Sequence, residues 1–321
     1  MTINTNTMKN YFSIKDIDAL ETWIDEAIAL KKEPLANKML GVDKTIGLLF
    51  FNPSLRTRLS TQKAAINLGM NVIVMNFTGE GWSLEYNDGV IMDQGNSEHV
   101  KEAAQVISQY CDVLAIRAFA QLKNKEDDYS EQVLQSFIKY ATIPVINMES
   151  AAGHPLQALT DAITITEHTS VKKPKVVLSW APHPKALPQA VANSFVEIMQ
   201  IMDVDLVITH PEGFELADEI TKETPIDHNQ ERAFENADFI YVKNWSSYSE
   251  YGKVGNDESW KITSAKMKKT NNAKLMHCLP VRRNVVLDDA VLDSKNAIVI
   301  EQANNRTYAA QLVLQKILES R

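Results

Sequence analysis

The amino-acid sequence predicts an α/β protein made of two doubly wound, mainly parallel sheets with a cleft between them. Three observations carry this expectation. Short apolar runs alternate with segments of helical pattern along almost all of the 321-residue chain, the signature of repeated strand–helix units. That length suits two α/β domains or one large one. The residues best suited to holding a ligand fall at the carboxyl ends of the expected strands, where such folds collect their ligands.

In the first half, residues 46–51, 71–77, 112–118 and 144–148 read as strands. Between them lie helices near 55–68, closed by Gly69, near 98–110 and near 130–140. In 154–168 the apolar residues Leu156, Leu159 and Ile163 recur at helical spacing, and this helix is expected to join the halves. The second half repeats the alternation, with strands at 175–180, 205–210, 239–243, 274–278 and 297–301 and helices at 188–202, 231–236 and 306–318. Strand order is not legible from the chain. Two loops stand out. Residues 78–97 are long, polar and glycine-containing, with Trp82 near the start; loops of this length are usually functional or disordered. Residues 181–188 are proline-dense and therefore stiff.

Apolar residues make up 45% and charged residues 23%, ordinary for a soluble globular protein. No stretch approaches the apolar length of a membrane span. The opening Met1-Thr2-Ile3-Asn4-Thr5-Asn6 lacks the basic-then-apolar order of a signal peptide. Two cysteines, Cys111 and Cys278, give no disulfide framework, which fits a reducing cytoplasm. The net charge of −8 argues against general nucleic-acid or anionic-membrane binding. An anionic ligand must then be met by local positive groups. The seven histidines lack metal-ligand spacing, and neither a dinucleotide fingerprint nor a P-loop is present. No metal and no cofactor are expected.

The most informative stretch is Phe50-Phe51-Asn52-Pro53-Ser54-Leu55-Arg56-Thr57-Arg58. An apolar strand stops at an Asn-Pro turn, and hydroxyls and arginines open a helix. A helix start offers unpaired N–H groups and partial positive charge; Ser54, Thr57, Arg56 and Arg58 add donors and full charge, together suited to phosphate. The plainer reading is an N-cap followed by solvated arginines. Two arginines at the positive end of a helix oppose its dipole unless an anion is present. His154-Pro155-Leu156-Gln157 reads either as a polar turn opening a helix, with Pro155 in its first turn, or as a pair of donors to a substrate carbonyl. Arg117 is either a surface arginine past a strand end or a donor to phosphate or a developing oxyanion. Cys278, in His277-Cys278-Leu279-Pro280-Val281-Arg282-Arg283, fits a small buried apolar role better than a nucleophile. His183 and Lys243 read first as a turn residue and a solvated strand end.

Taken together, these residues resemble the transcarbamylases. Ser54-Leu55-Arg56-Thr57-Arg58 is similar to their Ser-x-Arg-Thr-Arg carbamoyl-phosphate loop, His154-Pro155-Leu156-Gln157 to their His-Pro-x-Gln element, and His277-Cys278-Leu279-Pro280 to the His-Cys-Leu-Pro signature of the ornithine branch. The resemblance spans nearly the whole chain, with the motifs in order. One departure is informative. Ornithine enzymes carry an Asp two residues before a Trp, pairing with the free α-ammonium of ornithine. Here the matching stretch is Lys243-Asn244-Trp245-Ser246-Ser247-Tyr248. Two facing cations in a desolvated site disfavour binding, whereas an α-nitrogen masked as an amide removes the clash. This points to the acylornithine branch, in which a loop like 181–188 frames a trefoil knot. Where acetyl enzymes place a Glu and succinyl enzymes tend to place a Pro, this chain has Ser97, which adds no charge against a succinyl carboxylate; Glu98 and Asp93 lie nearby.

The resemblance implies a carbamoyl-phosphate domain of residues 1–150 plus 305–321, an acylornithine domain of residues 151–304 and a C-terminal helix returning to the first domain. It implies a homotrimer with shared active sites, Trp82 reaching into the neighbouring one. Carbamoyl phosphate would meet Ser54, Leu55, Arg56, Thr57, Trp82, Arg117, His154, Pro155, Leu156, Gln157, Cys278, Leu279 and Arg306. Among these, Arg117, His154 and Thr57 would polarise the carbamoyl oxygen. Glu149, His183, Lys243 and Arg282 would hold the N-acyl-L-ornithine. The acceptor expected is N-succinyl-L-ornithine, with N-acetyl-L-ornithine as the alternative. A two-lobed, non-catalytic phosphate or amino-acid binder is the reading of another class, although a binder has no need of a carbonyl-polarising set.

Overall fold

The computed structural model describes residues 8–320, so the opening hexapeptide read above for targeting lies outside the described residues. The chain divides into two compact units.

The first unit holds residues 8–120, 126–156 and 306–320. Its elements begin with α1 (Leu20–Lys32), β1 (Thr45–Phe50), α2 (Arg56–Asn67) and β2 (Asn71–Asn76). The short strands β3 (Leu84–Glu85) and β4 (Glu98–His99) follow, then α3 (Val100–Tyr110), β5 (Val113–Arg117), α4 (Lys125–Tyr129), α5 (Gln132–Tyr140) and β6 (Val145–Glu149). The sheet runs β2-β1-β5-β6 with every pair parallel. Ile46, Leu48, Leu49 and Phe50 of β1 are all buried. Burial on both faces is why the strand reads as a continuous apolar run and does not alternate. Register places Phe50 opposite Arg117, and Arg117 opposite Glu149. Three adjacent strand ends therefore deliver their next residues to one edge. On that sheet Leu49, Leu114, Ile116, Val145 and Phe137 form one apolar cluster.

Helix α2 buries Thr57, Thr61, Ala64 and Ala65 and ends where Gly69 takes φ +84, the left-handed stop that glycine adopts without strain. The helix expected over 130–140 starts at Gln132, because Glu131 lies in the left-handed region at φ 55. The loop 78–97 carries β3, which pairs in parallel with β4. The α1 helix was not anticipated. Trp23, Ile24, Ala27 and Leu30 give it a buried face at helical spacing.

The second unit holds residues 121–125 and 157–305. Chain order continues with α6 (Pro155–His168), β7 (Lys175–Trp180), α7 (Ala190–Met199), β8 (Asp205–Thr209), α8 (Asp218–Thr221), α9 (Gln230–Phe234) and β9 (Phe239–Lys243). It closes with α10 (Ser264–Met267), β10 (Lys274–Met276), α11 (Asp289–Leu292) and α12 (Val299–Glu319). This sheet runs β10-β9-β7-β8, again all parallel. Val177, Ile240, Val242 and Leu275 form its apolar centre with Phe234 and Leu287, and Trp180 packs on Phe214 with ring centroids 5.1 Å apart.

One element departs from expectation. Residues 297–301 are not a strand; Ala297 makes an isolated bridge to Leu275, and α12 begins at Val299. The β-branched run suggested a strand, but Ile298, Val299 and Gln302 are buried while Ile300 is 70% exposed, which is the periodicity of a helix. The strand expected over 274–278 stops at Met276, leaving Cys278 and Leu279 in the segment after it.

Candidate functional site

In the first unit, side chains from four stretches meet at the carboxyl edge of the sheet. Ser54 accepts a hydrogen bond on Oγ from the Thr57 N–H at 3.2 Å, the task of a cap at the start of α2. Arg117 runs from the end of β5 to the turn. Its Nη1 donates to the carbonyl oxygens of Asn52, at 3.0 Å, and of Pro53, and its Nε donates to Glu149 Oε2 at 3.1 Å. The guanidinium also lies over the Phe119 ring, 4.0 Å from its centroid. Arg306 on α12 donates from Nη2 to Thr57 Oγ1 at 2.6 Å, and the same nitrogen sits 3.4 Å from His154 Nε2. His154 Nε2 is in turn 3.5 Å from Glu149 Oε2.

The result is a continuous polar chain from Thr57 through Arg306, His154 and Glu149 to Arg117, each member no more than 8% exposed. Two permanent cations and a histidine share one carboxylate within it. The start of α2 adds partial positive charge at the same place, and arginines beside a helix start suit an anionic ligand. Arg56, half-buried, opens that helix.

Other expected residues stand apart from this chain. Leu55 is 66% exposed and Trp82 59% exposed; the Trp82 indole N–H donates to Glu98 Oε2 at 2.8 Å. Ser97 is exposed, its N–H on the Ser83 carbonyl. Arg58 turns to Asn76 Oδ1 at 3.4 Å. Leu156 and Pro155 are buried, and the Pro155 carbonyl accepts from the Tyr11 hydroxyl at 3.3 Å.

In the second unit, His183 and Arg282 meet: Arg282 Nε donates to His183 Nε2 at 3.1 Å. His183 Nδ1 lies 2.9 Å from the Lys185 carbonyl oxygen and 3.2 Å from the Lys185 N; with Nε2 accepting from Arg282, the ring proton belongs on Nδ1, facing the carbonyl. Desolvation first, then the positive charges of Arg282, Lys243 and Lys185, hold the imidazole below its usual pKa. It therefore stays neutral, an acceptor among cations. Lys243 ends β9, opposite Trp180 in register. Gln157, 1% exposed, donates from Nε2 to Asp161 Oδ1 at 2.7 Å. Cys278 is buried, and the N–H of Leu279 donates to His277 Nδ1 at 2.8 Å. Among the described residues no group of three or more His, Cys, Asp or Glu is placed to hold a metal ion, and no helix is long and apolar enough to cross a membrane.

The sequence reading missed Asn52, Asp161 and Gln302. Asn52 looked like a turn-former only. Its carbonyl takes Arg117, and its Oδ1 takes the Phe119 N–H at 2.6 Å. Asp161 carried a usable signal, lying four residues after Gln157 on the same helix face.

A parallel α/β fold with a basic turn at a strand end defines a class of protein suited to phosphate-bearing ligands. The chain belongs to the aspartate/ornithine carbamoyltransferase family. The profile of its carbamoyl-P binding domain matches residues 9–167, and that of its Asp/Orn binding domain matches residues 188–317. An N-succinylornithine carbamoyltransferase of Bacteroides thetaiotaomicron is 47% identical, covering 97% of this chain and 99% of its own. An N-acetylornithine carbamoyltransferase of Xanthomonas campestris is 34% identical over 97% of this chain and 98% of its own. Among solved structures, an acetylornithine transcarbamylase complexed with acetylcitrulline superimposes with a TM-score of 0.90 at 33% identity, covering 96% of this chain and 99% of its own. A mutant N-acetyl-L-ornithine transcarbamylase complexed with carbamyl phosphate and N-succinyl-L-norvaline does so equally well.

Proposed function

We propose that this protein moves the carbamoyl group of carbamoyl phosphate to the δ-amine of N-succinyl-L-ornithine, giving N-succinyl-L-citrulline and phosphate. The observation that carries the proposal is the chain from Thr57 to Arg117 at the start of α2. It joins anion donors to groups that can polarise a carbonyl, which a simple phosphate binder does not need. The phosphate lodges at Ser54, Leu55, Arg56 and Thr57 with Arg306. Arg117, His154 and Thr57 stabilise the carbamoyl oxygen as it becomes an oxyanion. Gln157 and the carbonyls of Cys278 and Leu279 take the carbamoyl NH₂, and Pro155 and Leu156 shape the turn around it. The δ-amine attacks the carbamoyl carbon to form a tetrahedral intermediate. The C–O bond to phosphate then breaks, and the departing phosphate takes the amine proton, so no protein base is obligatory.

The choice of acyl group is supported by charge. An N-succinylornithine carries two carboxylates and a neutral α-amide. Lys243 and Arg282 supply two cations, with neutral His183 held against Arg282. Glu149 completes the acceptor set for the substrate's nitrogen side. The 47% relative bears the succinyl name and the 34% relative the acetyl name. The working enzyme is a homotrimer, in which Trp82 of one protomer serves its neighbour. The 181–188 loop belongs to a knotted segment, and the cytoplasm suits two free thiols.

The test is to offer ornithine, N-acetylornithine and N-succinylornithine under identical conditions and follow phosphate release from carbamoyl phosphate. The succinyl compound is expected to give the highest kcat/KM. A clear preference for the acetyl compound would move the assignment to the alternative acceptor, and no acceptor-dependent release would favour a non-catalytic binder.

A further inference from the structure

Within the second unit lies a buried polar relay that touches the proposed ligand residues from behind. Asp161, on α6 and fully buried, accepts on Oδ1 from two glutamines: from Gln157 Nε2 at 2.7 Å and from Gln302 Nε2 at 2.7 Å. Gln302, on α12, uses its other end to accept the main-chain N–H of His277 at 2.9 Å. His277 directly precedes Cys278 and Leu279. Tyr241 stands beside Asp161, and burial, reinforced by the Asp161 charge, keeps its hydroxyl protonated.

A glutamine amide is ambiguous, since one end donates and the other accepts. A carboxylate oxygen removes the ambiguity, because it can only accept. With Asp161 at their backs, both glutamines must turn Nε2 inward. The Oε1 of Gln157 is then the end directed away from Asp161, and the Oε1 of Gln302 is the end that meets the His277 N–H. We propose that Asp161 is a positioning residue that sets the hydrogen-bond polarity of Gln157 and, through Gln302, fixes the 277–279 segment. The site then offers only acceptors to the carbamoyl NH₂. This rests on the carbamoyl-phosphate reading given above and adds to it a source of donor selectivity. Carbamoyl phosphate presents two N–H donors where acetyl phosphate presents a methyl group. A site of fixed acceptors discriminates the two, whereas a freely rotating amide does so poorly.

The experiment uses the full-length enzyme and compares KM for carbamoyl phosphate with the inhibition constant of acetyl phosphate. The wild type is expected to favour carbamoyl phosphate. Asp161→Ala is expected to lower that preference about tenfold, the scale of one neutral hydrogen bond, with KM for the acylornithine unchanged. Asp161→Asn is expected to recover the preference only in part, because its amide, unlike a carboxylate, can present either end to the glutamines. An unchanged ratio in Asp161→Ala, or an Asn variant that keeps the full wild-type preference, would overturn the proposal. Should Asp161→Ala not fold, hydrogen exchange of the Gln157 side-chain amide in the wild type decides, using glutamine side-chain ¹⁵N label and the resonance lost in Gln157→Met. Slow exchange supports the inward Nε2; exchange at the rate of an exposed glutamine overturns it. That measurement needs no substrate. A wild type without carbamoyl transfer would therefore sink the functional reading while leaving the Asp161 inference to its own test.

Discussion

Arg306 and Thr57, 249 residues apart in sequence, are joined by a 2.6 Å hydrogen bond from Nη2 to Oγ1. The bond ties α12 to the opening turn of α2, and it puts a permanent cation at the helix start beside His154. Because both groups are almost fully buried, the charge is weakly screened, which is the basis of its proposed hold on a dianion.

Arg306→Met is expected to lower kcat/KM for carbamoyl phosphate about 10- to 100-fold, the range for losing a hydrogen bond to a charged group. Arg306→Lys should recover only part of this, since a point charge lacks the planar fork. Steady-state kinetics with carbamoyl phosphate varied makes the comparison. Equal behaviour of wild type and Met variant would remove Arg306 from the anion site.

His154→Ala is expected to lower kcat about 100- to 1,000-fold, the scale for removing one oxyanion donor. Circular-dichroism melting would show whether the fold survives. Unchanged turnover in a folded variant would take His154 out of the oxyanion role.

Acidification should weaken the hold on the acylornithine before it affects carbamoyl phosphate. The His183 pKa is held below its ordinary 6.5, by burial first and then by Arg282, Lys243 and Lys185. Well above 6.5 the imidazole is neutral in both folded and unfolded chains and contributes nothing to pH dependence. As pH falls below 6.5 the unfolded chain takes up a proton that the folded one resists, so folded stability declines. Once the folded pKa is reached, the acceptor facing Arg282 Nε becomes a donor and the pair separates. KM for N-succinylornithine should therefore rise on the acid side, and His183→Asn should flatten that rise. A KM independent of pH in the wild type would contradict this.

In the proposed homotrimer, Arg56→Ala and Trp82→Ala are each expected to abolish activity, by damaging the proposed anion turn and the proposed shared loop respectively. Mixed trimers of the two variants should regain part of the activity, because some sites would draw an intact Arg56 and an intact Trp82 from different protomers. Verified mixed trimers with no recovered activity would count against shared sites.

Much of this was legible in the sequence, for reasons that differ by element. The β1–α2 junction could be read because an apolar strand, an Asn-Pro turn and a Ser cap are all local signals. Arg117, His154 and Glu149 could be placed at strand ends because parallel strands deliver their carboxyl termini to one edge. Their mutual contacts could not be read, since β5 and β6 come together only through sheet register. Residues 297–301 misled because Val and Ile favour strands locally, while burial of Ile298, Val299 and Gln302 favours the helix. Asp161 had a local signal in Gln157, four residues before it, but its second partner, Gln302, lies 141 residues away and leaves no local trace.

The most direct test of the account is a crystal of this protein soaked with a stable carbamoyl phosphate mimic. The mimic's phosphonate is expected against Ser54, Arg56 and Thr57, within hydrogen-bond reach of Arg306, with its carbonyl oxygen toward Arg117 and His154. An empty α2 turn, with the mimic bound elsewhere, would contradict the account.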